Sequence, residues 1–411
     1  MSRPIAYVCS RFPVLREAFI IREVLALERA GADVRVYSLK RPDSGLSNRD
    51  LDAIRARPYY SAHLLSWALI RDNLATLVSS PLRYVSTPLA AAWRFRSWPV
   101  QAFKCLALFP KMVHYSREMK REGVAGINAC WASLPALLAL VANRLFGIPY
   151  CMTCRAWDIF VPMNQRDLPA KVAAASVVRA NNDAGAEFMR GFCPTPADEA
   201  KIRRVYNPFD VAAVAPRKTV PDGVPTITSG GSLVEQKGLG YLLDAVGRLR
   251  EDGVECRVEL VGEGADRENL ERQVERLGLG DRVEFLGTLP NHAFLDRMRA
   301  SHAFVLPSVP ASTGCMDGIP NVLIESMALG VPTISTSISG IPELIEDGVS
   351  GLLVPPRDVE GLAAAIRRLL EDPELQRSCS SAGRTRVESM FEMGQNAERL
   401  IEIYRSEGLL G

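Results

Sequence analysis

Two carboxylates, Asp317 and Glu325, have seven residues between them in the stretch DGIPNVLIESMALG. Pro320 and Asn321 mark the start of a helix there, so Asp317 belongs to the loop before it and Glu325 to its first turns. A carboxylate that accepts hydrogen bonds from two vicinal hydroxyls makes a clamp for a ribose or another sugar. The backbone of Gly318, Ile319, Pro320, Asn321, Val322 and Leu323 would add an anion-binding nest at the helix start. The plainer alternative is that Asp317 caps the helix and Glu325 points into water.

A second constellation lies upstream in GGSLVEQKGLGYLLDAV. Gly230 and Gly231 allow a tight turn and a close backbone approach, and Ser232 follows them. The helix beyond offers unpaired N–H groups and a positive dipole end, and Lys237 adds a mobile ammonium. Together these suit a phosphate.

The elements that position these residues alternate between strand and helix. Short apolar strands are predicted at Ile5 to Cys9, Val34 to Leu39, Val124 to Cys130, Tyr150 to Thr153, Ala175 to Arg179 and Ile202 to Tyr206. After Asp43 the rhythm breaks into Pro, Ser and aromatic residues mixed with amphipathic helix up to about Glu122. A Pro-rich stretch, NPFDVAAVAPRKTVPDGVP, reads as a linker. A second series follows, with strands at Thr226 to Ser229, Arg257 to Val261, Val283 to Leu286, Ala303 to Pro307, Pro332 to Ser335 and Leu352 to Val354. The fold class is therefore α/β, with two Rossmann-like, doubly wound domains and a ligand cleft between them. The expected boundaries are 1–208, a linker at 209–222, a second domain at 223–386, and a final helix from Val387 to Ser406 within 387–411 that packs back on the first domain.

Composition bounds the function. The 411 residues exceed one ordinary core, and a net charge of +2 argues against a dedicated nucleic-acid binder. The N-terminal MSRPIAYVCSRFP turns polar too early for a signal peptide, and no apolar run is long enough to span a bilayer. A cytoplasmic protein with reduced thiols is the expectation for the nine scattered cysteines. Cys151 and Cys154 form a C-x-x-C, but the pair lies in strand-like IPYCMTC without two further ligands, so no metal is assigned. Between Arg55 and Arg121 eleven basic residues face only Asp72 and Glu118, with Trp67, Trp93 and Trp98 among them. That stretch suits a peripheral face against anionic lipid, or equally helices whose Trp residues form core while the arginines face water.

The Asp317–Glu325 segment resembles the E-x7-E region of glycosyltransferase family 4, and GGSLVEQKG resembles that family's phosphate loop. The intervening LVGEGADRENLERQVERLGLGDRVEFLGTLPNHAF and FVLPSVPAS follow the same order, and SRFPVLREAFIIREVLALERAG is similar to the opening of a bacterial exopolysaccharide and colanic acid biosynthesis subgroup. The resemblance covers most of the chain and is weakest between about 45 and 122. It implies a GT-B fold and a retaining, metal-independent glycosyltransferase using a nucleoside-diphosphate sugar as co-substrate, with no resident cofactor. Lys237 would neutralise the donor diphosphate, Glu325 would hold the ribose and Asp317 the transferred sugar. Arg11, Glu17 and Asp158 would stand on the acceptor side. UDP- or GDP-linked donors are those the family commonly uses, and the acceptor would be a lipid-linked or soluble glycan.

Three positions depart from the family pattern. Ser232 stands where an Arg usually faces the diphosphate. Arg155, in CRAWDIF, replaces a His, while Asn128, Ala129 and Cys130 stand for a His-Ala-His run. Asp317 is one methylene shorter than the usual Glu. Arg155 is counted with Lys237, Asp317 and Glu325 as catalytic, because it could supply the cation missing at Ser232 or else pair with Asp158. Two alternatives stay open: an impaired homologue that binds nucleotide or glycan as a partner protein, and another GT-B enzyme such as a nucleotide-sugar epimerase.

Overall fold

The computed structural model describes residues 3–14, 17–42, 49–61 and 66–411. They form two compact units, Met1–Phe209 with Met393–Gly411, and Asp210–Glu392. The first carries seven parallel strands: β1 (Ile5–Arg11), β2 (Val34–Lys40), β3 (Pro58–Tyr60), β4 (Gly126–Ala129), β5 (Tyr150–Cys154), β6 (Val177–Ala180) and β7 (Ile202–Arg204). Their order is β3-β2-β1-β4-β5-β6-β7. Ile5, Ala6, Tyr7, Val8 and Cys9 are all buried, because helices cover both faces of a parallel sheet and leave no polar side for the strand to show.

The second unit carries β8 (Thr226–Gly230), β9 (Arg257–Val261), β10 (Val283–Gly287), β11 (Ala303–Leu306), β12 (Thr333–Thr336) and β13 (Leu352–Val354), in the order β10-β9-β8-β11-β12-β13 and again parallel. Both units thus have the doubly wound α/β architecture that the strand–helix alternation predicts. The strand β3 was not foreseen. It is a three-residue edge strand that begins at a proline and is only half-buried, so it shows neither an apolar run nor alternation. The break in rhythm expected from Asp43 to about Glu122 begins at 43–48, outside the described residues, and further on its helical segments stand at Trp67–Ser79, Pro81–Arg94 and Pro99–Arg121.

The C-x-x-C lies within β5, as its apolar surroundings predict. Cys151 and Cys154 are buried, and burial pushes both thiols up, Cys151 to about 12. Such thiols are packing groups with little thiolate character. All nine cysteines are free.

The chain's last helix differs from its expected form. One helix over Val387–Ser406 is in fact two, Pro373–Phe391 and Met393–Ser406, separated at Glu392 by an extended backbone. Val387 and Phe391 are buried in the second unit, whereas Met393 and Ala397 pack on Ala26 in the first. The final helix then inserts Leu400, Ile401 and Tyr404 into the same core as Ile5, Tyr7, Ile20 and Val24. Gly126 in β4 admits this terminus: a Cβ there would lie 2.5 Å from the Leu409 Cα.

The terminal helix is therefore core and not appendage. Replacing Leu400, which is fully buried, by Ala is expected to destabilise the first unit by about 2–5 kcal/mol. The midpoint of urea unfolding measures this, and an unchanged midpoint would show that the helix contributes nothing to that core.

Candidate functional site

In open α/β sheets, ligands gather beyond the carboxyl ends of the strands, where the strand order reverses. In the second unit that point lies between β8 and β11, and the Gly230–Ser232 turn leaves the end of β8 there. Gly230 has φ of +159°, and a Cβ on it would lie 2.2 Å from the Val261 carbonyl oxygen. After the turn, Glu235–Lys237 form one 3₁₀ turn that ends at Gly238 in the left-handed region. A Cβ at Gly238 would sit 1.9 Å from the Pro307 carbonyl oxygen. Only glycine lets this turn lie against the chain leaving β11.

The two loops are then fastened to each other. The Val309 N–H donates to the Gln236 carbonyl at 3.0 Å. Glu235 accepts from the Ser312 N–H at 2.8 Å and from its hydroxyl at 2.7 Å. Lys237 Nζ donates to Asp317 Oδ2 at 2.9 Å. Both partners keep some exposure, 14% and 19% of their side chains, so the pair is open to solvent at one side.

Asp317 is not a helix cap. The helix Asn321–Ala328 has Pro320 at its N-cap and no side-chain cap bond. Glu325 is buried within that helix and does not point into water. The plain reading of the two carboxylates is thus corrected at both positions. The nest is smaller than its sequence span: Pro320 has no N–H, and the Leu323 N–H donates to the Pro320 carbonyl at 3.0 Å. That leaves the N–H groups of Gly318, Ile319, Asn321 and Val322 as the donors such a nest would have.

In the first unit, strand order reverses between β1 and β4. Arg11 ends β1, and Arg155 and Asp158 follow β5. Arg155 is buried, with its guanidinium 4.2 Å from the centroid of the Phe19 ring. It donates to Asn207 Oδ1 at 2.8 Å and stands 3.6 Å from Glu23 Oε2. The carboxylate that Arg155 meets is therefore Glu23 and not Asp158. Burial lowers the Arg155 pKa, against the pull of Glu23. Burial likewise works against the charge on Glu23, yet the Arg179 pair at 2.7 Å, with Arg155 and the Tyr7 hydroxyl, holds its carboxyl below the usual range.

Asp158 is buried without a cation in contact. It accepts the Ala132 N–H at 2.8 Å, and burial pushes its carboxyl up to about 7. Glu17 accepts from Trp131 Nε1 at 3.2 Å; burial raises its carboxyl, and Trp131 and Arg155 oppose that rise. Arg155, Glu17 and Trp131 thus form one aromatic, polar patch, because Trp131 also lies 5.9 Å from the Arg155 guanidinium.

Residues 213–386 match the family model of Glycosyl transferases group 1, and that span contains the whole Gly230-to-Glu325 arrangement. Those residues are similar to a group 1 glycosyltransferase domain. Among its relatives, the colanic acid biosynthesis glycosyltransferase named WcaL of Escherichia coli is 39% identical over 169 residues, 41% of this chain and 41% of its own. The amylovoran biosynthesis glycosyltransferase AmsK of Erwinia amylovora is 36% identical over 177 residues, 43% of this chain and 44% of its own. The matches thus span less than half the length of these relatives. Among solved structures, Anabaena Alr3699/HepE in complex with UDP superposes with a TM-score of 0.72 at 18% identity, over 98% of this chain and 100% of that one. Sucrose-phosphate synthase from Thermosynechococcus elongatus gives 0.76 at 20% identity, over 98% of each chain. These likenesses show the GT-B fold.

Within residues 213–386, Glu235 was missed from the sequence. An acidic residue two positions before the expected phosphate lysine gives no sign that it will pin the loop carrying Asp317. In the first unit Glu23 was missed, although a charge in the apolar helix FIIREVLAL was a visible signal. Among the described residues, one group has metal-ligand geometry, Asp72, His114 and Glu118. Arg121 is bonded to both of its carboxylates, and Arg71 stands 3.2 Å from Asp72. Cations already fill that site.

Asp158 gives a pH test. Its folded pKa of about 7 lies above the ordinary value of about 3.9, so the folded state binds the extra proton between them. Stability from this group is then lost as pH rises from about 4 to about 7, by up to about 4 kcal/mol at about 1.4 kcal/mol per unit. Asp158→Asn is expected to be more stable than the natural chain at pH 8 and to close that gap at pH 5. Parallel urea-unfolding profiles across this range would show Asp158 ionised throughout.

Proposed function

We propose that the protein is a retaining, metal-independent glycosyltransferase. It would move a sugar from a UDP- or GDP-linked donor onto a hydroxyl of a lipid-linked glycan, on the cytoplasmic side, in surface-polysaccharide assembly. The observation that carries this reading is the fastening of Lys237 and Asp317 at the β8–β11 switch point, beside the start of the helix that holds Glu325. The colanic acid and amylovoran relatives support the polysaccharide context, and the UDP complex of the Anabaena protein supports a nucleotide donor.

In this reading the donor diphosphate takes Lys237 as its counter-charge. The N–H groups of Gly318, Ile319, Asn321 and Val322 receive hydroxyl or phosphate oxygens, Asp317 binds the transferred sugar, and Glu325 the ribose. The bond from the anomeric carbon to the diphosphate oxygen breaks. The acceptor oxygen forms its bond on the same face, and the acceptor proton passes to the departing phosphate. Catalysis rests on position and on stabilising the negative charge of the leaving group. Lys237 and the N–H donors provide that stabilisation, and no step is assigned to a divalent cation.

Ser232 favours one second reading, a homologue that binds nucleotide without transferring sugar. A charge-assisted hydrogen bond contributes about 1.5–3 kcal/mol, so its loss lowers a rate by roughly tenfold to over a hundredfold. Arg155 is already engaged by Glu23 and Asn207 in its own unit.

Thermal melting with a panel of nucleoside diphosphates tests donor binding. A diphosphate at about 100 times its dissociation constant should add about 2.7 kcal/mol, and Glu325→Ala should abolish the shift. No shift with any of them removes the donor site. A shift without turnover of the matching nucleotide sugar, in the presence of a chelator and a glycan acceptor, selects the binding-only reading. Ser232→Arg, which restores the cation to the glycine turn, is expected to raise donor turnover by about tenfold or more. A variant that binds diphosphate more tightly yet turns over no faster would mean that the lost arginine does not limit the chemistry.

A further inference from the structure

The crossover from β3 to β4 holds three helices, Trp67–Ser79, Pro81–Arg94 and Pro99–Arg121. In the first of these the usual polarity is inverted. Its inward face carries Asp72, Asn73 and Thr76, all buried. Asp72 meets His114 at 2.7 Å as well as Arg121, and Asn73 bonds the Leu69 and Pro110 carbonyls and the Tyr84 hydroxyl. Its outward face carries Trp67, Ile70, Leu74, Leu77 and Val78, spaced as a single helical stripe. Trp67 is 73% exposed and Val78 82%.

The second helix continues the pattern. Leu82, Val85, Leu89 and Trp93 recur at intervals of three or four and are exposed, Leu82 by 85%. The start of the third adds Val100, Phe103 and Leu106. In all, thirteen of the seventeen exposed large hydrophobic side chains among the described residues lie between 67 and 106. Exposed apolar residues scattered singly need no explanation, but stripes of them along successive helices packed on one another mark something that covers them. The sequence alternatives of Trp core with solvated arginines or a lipid-facing surface are thereby separated: Trp67 and Trp93 are not core.

Charge indicates what covers the face. Arg71, Arg83, Arg96 and Lys104 are exposed among these apolar residues. Arg96 lies over the Trp93 ring at 5.0 Å, an arrangement of ring and cation suited to a headgroup layer. From residue 73 to 117 the chain contains no acidic residue, and Asp72 is consumed inside. A second copy docking by two-fold symmetry would set this patch against itself, with Arg83, Arg96 and Lys104 facing their own counterparts and no acidic residue from 73 to 117 between them. An anionic bilayer presents the complementary charge and receives the apolar stripe among its acyl chains. No helix among the described residues is long and apolar enough to cross a membrane, so contact would be from one side.

We propose that the outer face of residues 67–106 is a docking surface for an anionic lipid bilayer, lying in the interface with Trp67, Leu82 and Trp93 inserted. This is independent of the transfer reaction, although it would bring a lipid-linked acceptor to the chain. The test is flotation of the full chain with vesicles of phosphatidylglycerol and phosphatidylcholine, against vesicles of phosphatidylcholine alone. Binding is expected to the anionic vesicles, to weaken in high salt, and to be at least tenfold poorer to the neutral ones.

The double substitution Trp67→Ser with Trp93→Ser should reduce binding about tenfold or more, as should Arg96→Glu with Lys104→Glu. These side chains are exposed, so melting temperature and the diphosphate-induced shift should be unchanged in both variants. That retained shift separates failure here from failure of the donor reading. Equal flotation of natural chain and variants would overturn the proposal. So would a dimer in light scattering that Trp67→Ser with Trp93→Ser converts to monomer, because a second copy would then own the face.

Discussion

The first unit is organised around a carboxylate that has no access to water. Glu23 is buried on the helix Ala18–Arg29, and removing its charge from solvent costs several kcal/mol unless partners replace the water. The partners come from across the fold. Arg179 from β6 and the Tyr7 hydroxyl from β1 each bond it at 2.7 Å, and Arg155 approaches from the end of β5. Tyr7 in turn lies 3.3 Å from the Tyr404 hydroxyl on the terminal helix. One charge therefore sets how three strands, the first helix and the last helix sit within this unit. Arg155 belongs to this arrangement as much as to any site, since losing Glu23 would leave two buried guanidinium groups with no carboxylate.

The second unit reaches its geometry by a different route. Its functional edge is built by backbone lying on backbone, with hydroxyls closing the ends of the strands. Ser335 donates to the Leu306 carbonyl at 2.6 Å, and Ser229 and Thr336 bond the carbonyls of Val305 and Ser308. These bonds satisfy carbonyls where the chain turns out of the sheet, so the loop after β11 leaves in a fixed direction. Lys237 and Asp317 meet because both of their loops are held from behind.

How much of this could be read from the sequence follows from what each feature depends on. Most of the parallel strands carry short apolar runs, and twelve of the thirteen have a counterpart among the predicted strands, β7 (Ile-Arg-Arg) through its place in the alternation; β3 was not legible because its pairing is set by its neighbour β2. Lys237, Asp317 and Glu325 were legible as residue types at a spacing. Their arrangement was not, because the Glu235–Ser312 contact joins residues 77 apart and leaves no local pattern. The partner of Arg155 was hidden for the same reason: Asp158 is three residues away in sequence, but Glu23 is the carboxylate that the packing delivers. The helix at 67–79 left two readings open for a further reason, since periodicity reports that a helix has an apolar face without saying which way it points.

The pairing of Lys237 with Asp317 bears on how a donor could enter. The ion pair at 2.9 Å keeps only 14% and 19% of its side chains exposed, so solvent reaches it from one side and screens it in part. In the proposed function a diphosphate would take the Lys237 ammonium from Asp317, exchanging one anion for another of higher charge. The same exchange leaves the Asp317 carboxylate free to accept hydroxyls, which it cannot do fully while it holds the ammonium. Under the proposed function, phosphate capture and sugar recognition would in this way be the two halves of one displacement.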